Sequence, residues 1–420
     1  MKVEFVGKRG ALFWLALKTG FLTVLTLGFY RFWMKTRLRR WYWSAIRPGG
    51  DPMEYVGDPI EKLLGFFIAV VILTFYIGVL NLVLMFLSFS LFSSSVIGYA
   101  ASFAGVIPLW FYARYRARRY VLARTRWRGV RFGLEPGAWG YAGRALLYWA
   151  LTIVTLGLLW PRMTFLLEKY RTDRTFFGSV RLIQGGHWTM LYRAAVPFII
   201  ALVLCGGWAF WLILVDPLWP TSMTFDGMID TVATAIATET PVDELNRPGR
   251  LFLLPAFLMI LIYGAVHYRW VSKRLMADAK HAPGVTFQSR LRAPRVFGIY
   301  LLGNFLAYLV LVFGIMVMIL LALPLMFAEA LDPQLTASMD GWASLPRIVH
   351  LLALGLLYLA AFLLWGVLHN TFVTFPLMRH MAQTTTLPEM RGLQEVSQRE
   401  RDAFAEAEGF AEALDLGAAI

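Results

Sequence analysis

Six apolar runs in the chain, at residues 63–87, 91–113, 194–215, 251–271, 296–327 and 348–372, are long enough to predict membrane-spanning helices. About 20 apolar residues at ~1.5 Å rise cross a ~30 Å hydrocarbon core. Two further runs fall short. One lies between Lys18 and Arg31; the other, 145–160, stops at Pro161 and Arg162. They cover roughly 18 and 24 Å at the same rise, the reach of a re-entrant or interfacial element. The polar connectors decide how to treat them. Segments 34–62, 114–144, 162–193 and 269–295 are rich in arginine, whereas 216–250 and 328–346 are acidic. If both short runs dip in and return, every basic connector falls on one side, as the positive-inside rule requires of the cytoplasmic face. The expected architecture is therefore an all-α polytopic membrane protein with six full transmembrane helices, two short dipping elements (12–33 and 145–160) and both termini inside.

Composition supports lipid as the solvent. Of 420 residues 58% are apolar and only 16% charged, against about a quarter charged in ordinary soluble domains. The net charge of +14 sits beside apolar runs, so the partner it predicts is an anionic lipid surface and not nucleic acid. Cys205 is the one cysteine and lies inside an apolar run, which excludes a disulfide and a thiolate metal site. Lys18 interrupts the first apolar stretch and no small-residue cleavage pattern follows it. A removable signal peptide is not expected.

The chain also resembles itself. L-T-V-L-T-L-G at 22–28 matches L-T-I-V-T-L-G at 151–157, and V-x-F triplets recur at Val3 to Phe5, Val130 to Phe132 and Val285 to Phe287. Tyr55-Val-Gly57 and Phe176-Phe-Gly178 hold equivalent places. Three diverged units follow: 1–129, 130–284 and 285–387, the third with its T-L-G element decayed into a long fused run. A tail, 388–420, carries eight acidic and three basic residues. Val396, Phe404, Ala407, Phe410, Ala411 and Leu414 recur there near helical spacing, the pattern of an amphipathic surface helix able to take a protein partner. The β-branched and aromatic triplets predict brief cytoplasmic strands. In the dipping elements, threonine hydroxyls can bond back to carbonyls while Gly28 or Gly157 permits a sharp exit.

The T-L-G-F-Y-R-F-W-M-K-T-R-L-R-R stretch at 26–40, the F-x-G opening and G-D-P-M-E-Y-V-G at 50–57 resemble the YjgN family of bacterial inner-membrane proteins. The resemblance covers the chain to about Thr385. It implies a bacterial inner-membrane location and supplies no catalytic residues.

Candidate chemistry is sparse. The arm from Phe32 to Trp43 mixes Arg37, Arg39 and Arg40 with Trp33, Trp41 and Trp43; such a helix lies in the interface, either as a lipid-headgroup site or as a topology anchor. Asp51, Glu54, Asp58 and Glu61 form an acidic run that Pro52, Gly57 and Pro59 break up, and pairing with nearby arginines is favoured over a cation site. The six histidines show no H-x-x-x-H spacing, and neither GxxxxGK[ST] nor GxSxG occurs, so zinc, phosphate-loop and serine-hydrolase chemistry are not indicated. No cofactor is expected. Asn81 and Asn304 lie well inside apolar runs, where a polar side chain either bonds to a neighbouring helix or lines a cavity. A transporter or permease of a small or lipid-like solute is the first functional reading. A non-enzymatic scaffold binding anionic lipid is the second, and a lipid-modifying enzyme the third.

Overall fold

The computed structural model describes residues 1–92, 95–212, 253–326, 347–389, 392 and 396–399. The acidic connectors and most of the tail lie outside the described residues. The chain forms two compact units. The first comprises Met1–Gly186, Met276–Leu291 and Gly298–Ile420; the second comprises His187–Leu275 and Arg292–Phe297.

Long apolar runs become long helices: α3 (Pro59–Phe92), α4 (Ser95–Ala123), α7 (Met190–Phe210), α8 (Leu254–Asp278), α9 (Ala293–Met326) and α10 (Arg347–His369). A π-helical turn, Asn370–Thr374, joins α10 to α11 (Phe375–Thr384). Among the described residues, five stretches are long and apolar enough to cross a membrane: Pro59–Tyr76, Met190–Phe210, Leu254–Asp278, Ala293–Met316 and Ala361–Thr384. Their outward side chains are apolar, as at Phe75, Leu82, Val203 and Phe362, which in water would be a large exposed liability and in lipid is the favoured arrangement. The protein is a predominantly helical multi-pass membrane protein.

The two short apolar runs each turn back. The first is α1 (Arg9–Leu25) followed by α2 (Arg31–Ala45); the second is α5 (Ala138–Val154) followed by α6 (Trp160–Thr172). Both reverse at the T-L-G motif by the same device. The Gly28 N–H donates to the Thr23 carbonyl at 2.7 Å and the Leu27 N–H to that of Val24 at 2.9 Å; Gly157 and Leu156 donate to Thr152 and Ile153 at 2.7 and 3.0 Å. That pair of bonds is a Schellman cap, and it satisfies carbonyls left open at the helix end. Thr26 and Thr155 bond back to Leu22 and Leu151 at 2.8 Å. The left-handed position is held by Leu27 and Leu156, both at φ 49°, with 72% and 97% of the side chain exposed. A leucine bears a steric cost there.

Short antiparallel strands bracket the helices. β1 (Val3–Phe5) pairs with β2 (Ile46–Pro48), β3 (Met53–Tyr55) with β4 (Thr125–Trp127), and β5 (Val130–Leu134) with β6 (Thr175–Phe177). In the same way β8 (Ile183–Gln184) pairs with β9 (Lys280–Ala282), and β11 (Gln288–Ser289) with β12 (Thr385–Thr386). Tight turns pair β4 with β5, β6 with β7 (Val180–Arg181), and β9 with β10 (Val285–Thr286). The strands fall in four small sheets, and an isolated bridge from Lys2 to Thr386 ties the β1–β2 pair to the β11–β12 pair, reinforced by Met1 and Leu387 exchanging backbone bonds at 2.6 and 2.8 Å. The expected brief strands are thus present, and they link distant parts of the chain. Of the tail, residues 396–399 lie on the β6–β7 turn, where Ser179 donates to the Ser397 carbonyl at 2.9 Å.

Two apolar clusters anchor the first unit. One joins β1, α1, α2 and α11 through Phe5, Leu12, Ala16, Tyr42 and Phe375; each such large side chain contributes ~1.5–3 kcal/mol when fully buried. The π turn serves this cluster. The Asn370 carbonyl accepts the Phe375 N–H and also, at 3.4 Å, the Tyr42 hydroxyl. Gly303 of α9 sits against the same turn, its missing Cβ only 2.5 Å from the Phe372 carbonyl oxygen. The other cluster packs Phe111, Tyr115 and Leu134 against Tyr141, Ala145 and Tyr170. In the second unit, Ala194 and Ala195 of α7 meet Tyr268 of α8, and Cys205 is half-buried with its thiol 3.4 Å from the Phe257 carbonyl.

Candidate functional site

The strands of these small sheets line a half-open chamber of about 350 Å³, within the ~300–1,000 Å³ range of small-molecule sites. Its wall draws on nearly every strand. Val3, Ile46, Met53, Trp127, Phe132, Phe177, Val180, Ala282 and Val285 all contribute, and α11 adds Met378 and Met381. Thr385 is the one polar side chain of the lining. Strand alternation explains this: period-2 geometry sends Trp127, Phe132 and Phe177 to a common face, where Phe132 and Phe177 pair in register and lie 4.6 Å apart, with Trp127 5.8 Å from Phe177. A concave, almost wholly apolar lining of this kind suits apolar ligands. Methionines on the wall make it adaptable in shape.

Cations and tyrosines line the helix bases outside the chamber. Glu168 of α6 bonds to Arg171 at 2.5 Å and Lys280 at 2.9 Å, with Arg118 at 3.5 Å. Burial alone would raise the Glu168 pKa, but the charges of Arg171, Lys280 and Arg118 hold it well below the ordinary carboxylate range. Burial likewise lowers the Arg118 pKa, opposed by Glu168. A second group runs from Trp43 to Arg124. Arg39 donates to the Tyr55 hydroxyl at 3.2 Å, Lys62 lies over the Tyr55 ring at 5.1 Å, and Arg124 bonds to Glu61 at 2.8 Å.

The residues singled out in the sequence are dispersed. Arg39 is buried at 4% exposure and turned inward, and Trp43 donates to the Thr125 hydroxyl at 3.0 Å. Trp41 packs on Phe5 and Phe375. Arg40 donates to the Gly57 carbonyl at 2.8 Å. Arg37 is exposed beside the Tyr30 ring, on which Trp33 stacks at 5.9 Å. Asn304 bonds back to the Tyr300 carbonyl at 2.8 Å; the side chain of Asn81 lies outside the described residues. In the acidic run, Asp51 and Glu61 pair with Arg128 and Arg124, while Asp58 caps α3 through the Ile60 N–H at 3.0 Å. Among the described residues no group of three or more histidine, cysteine or acidic side chains converges on a metal position. The chamber residues went unnoticed as a site. Their signal was the recurring V-x-F triplets, of which Val3, Phe132, Val285 and Phe287 all line the wall.

Long apolar helices, capped tight turns and an apolar, strand-lined chamber in the first unit define a multi-pass membrane protein with an apolar concave site. The chain belongs to a family of bacterial proteins of unknown function, DUF898, commonly called YjgN, whose model matches residues 1–317. No curated protein and no solved structure matches it.

Proposed function

We propose that this is an inner-membrane carrier or permease for a small, lipid-like solute, with the strand-ringed chamber as its binding site. The observation that carries the reading is the wall itself: about 350 Å³ bounded by apolar side chains from strands that are far apart in the chain. A concave apolar surface left to water is unfavourable, and a lining of this kind is what small-molecule sites present. On the same reading the chain is three diverged copies of one unit, a view supported by the matching caps at Gly28 and Gly157 and by Thr23 and Thr152 each meeting a methionine sulfur eleven residues on. The basic connectors and both termini face the cytoplasm, in keeping with the positive-inside rule.

A scaffold that organises anionic lipid is the second reading, favoured by the exposed Arg37 beside Tyr30 and Trp33 on α2. Native mass spectrometry of protein released from mild detergent separates the two. The carrier reading expects one largely apolar ligand at fixed stoichiometry, lost when Ala282→Phe fills the chamber. A ladder of anionic phospholipids alone, weakened by Arg37→Gln, would favour the scaffold.

A further inference from the structure

Beyond β12 the chain meets the edge of the chamber at three places. Leu387 belongs to the wall itself, and its N–H donates to the Met1 carbonyl at 2.8 Å. Gly392 meets the β9–β10 turn, where its N–H donates to the Gly284 carbonyl at 3.2 Å. Residues 396–399 meet the β6–β7 turn. There the Ser179 N–H donates to the Ser397 carbonyl at 2.9 Å, and the Ser397 N–H donates to the Ser179 hydroxyl at 3.2 Å. The Arg131 N–H of β5 donates to the Gln398 side chain at 3.0 Å, and Arg399 lies over the Phe176 ring at 4.5 Å. Glycine admits the tail at both turns: a Cβ on Gly392 would overlap the Pro283 carbonyl oxygen, and one on Gly178 would overlap that of Ser397. The two turns belong to different sheets, and wall residues flank each of them, Ala282 and Val285 at one, Phe177 and Val180 at the other. Four positions separate Gly392 from Val396, a reach of at most ~14 Å. The tail therefore ties two hairpin tips together at the rim of the chamber.

We propose that this part of the tail is a strap that controls access to the chamber, an inference that rests on the reading of the chamber as a solute site. The wall is assembled from four small sheets. Sheets that share no ladder can separate as units, so the width of the opening depends on what ties their tips together. The tail supplies such a tie between the β8–β9–β10 sheet and the five-stranded sheet. Its bonds are of the kind that open locally at little cost, because they belong to a terminal segment and face solvent. Ser397, Gln398 and Arg399 are exposed, and Gly392 and Val396 are half-buried. Docked, the strap holds the β6–β7 and β9–β10 tips in place. Released, it lets them part and widens the way to Phe177, Val180 and Val285.

The test reads the chamber directly and uses no solute. In the full-length protein in nanodiscs, with Cys205→Ser as background, Met378→Cys places a thiol on the α11 part of the wall, where the native side chain is 9% exposed. Its rate of reaction with N-ethylmaleimide is measured with the native tail, with Gly392→Ala and with Ser397→Pro. Gly392→Ala sets a methyl against the Pro283 carbonyl, and Ser397→Pro removes the N–H that bonds to Ser179. Both changes lie in the tail and leave the wall residues intact. Ala145→Cys, in the buried cluster of α4, α5 and α6, reports general loosening of the fold. The expected result is a Met378→Cys rate raised about fivefold or more in at least one tail variant, the order of one net hydrogen bond, with the Ala145→Cys rate unchanged. Met378→Cys rates that neither variant raises overturn the strap. Equal acceleration at both thiols also overturns it, since the tail then only stabilises the fold. Failure of the solute reading shows separately, as a chamber that takes no photolabelled fatty acid in any variant, and leaves the thiol rates to decide the strap.

Discussion

Replacing Glu168 by glutamine should destabilise the fold more than any comparable surface change, because one carboxylate holds three cations. Arg171 and Lys280 lie at 2.5 and 2.9 Å and Arg118 at 3.5 Å, while Glu168 itself is 13% exposed. Removing one partner of a buried ion pair costs ~3–5 kcal/mol, since the remaining charge stays desolvated. Arg118 and Lys280 retain 31% and 23% exposure and can turn toward water, whereas Arg171 retains 17%. The expected loss is therefore near the lower end, ~3 kcal/mol. Unfolding by SDS titration in mixed micelles measures it, and the double variant Glu168→Gln/Lys280→Gln should recover part of the loss. A Glu168→Gln protein within about 0.5 kcal/mol of the native one would refute the reasoning, because that is the scatter of ordinary surface substitutions. The pH dependence has a fixed sign. A carboxylate held below its unfolded value of ~4.3 contributes stability above that pH and loses it as pH falls through the lower folded value. The native chain should thus weaken below about pH 4 through this group, and Glu168→Gln should lack that component.

Further substitutions test the packing and the medium. Gly303→Ala brings a methyl against the Phe372 carbonyl and should cost ~1–3 kcal/mol, whereas Gly298→Ala, with open space around it, should gain up to ~1 kcal/mol in its helix; equal effects would contradict the close approach of α9 to the π turn. Leu156→Asp tests the tip of the second short hairpin. In water the change relieves a left-handed leucine and should be favourable, but in lipid it costs roughly 2.5–3.5 kcal/mol near mid-membrane depth, so a clear loss of stability in bilayers marks the tip as lipid-embedded.

Much of the helical layout was legible because long apolar runs leave little choice of structure. The T-L-G turns were legible too, since threonine back-bonding and a glycine exit are local chemistry. The V-x-F triplets announced strands but not their partners. β11 pairs with β12, about a hundred residues away, and a single bridge joins Lys2 to Thr386, pairings that no local pattern specifies. The Glu168 network was hidden for the same reason: Lys280 is 112 positions away. Arg39 shows the reverse case. Its place in an aromatic, cationic arm pointed to lipid, yet helical phase turns it toward Tyr55.

The central claim is that an apolar solute occupies the strand-ringed chamber, and photolabelling tests it most directly. A diazirine-bearing fatty acid, irradiated with the full-length protein in nanodiscs and mapped by peptide mass spectrometry, should mark the peptides of β4, β6 and β10 around Trp127, Phe177 and Val285. Ala282→Phe should abolish those marks while leaving labels on the outer helix faces unchanged. Labels confined to the outer faces, with the strand peptides clean in the native chain, would contradict the account.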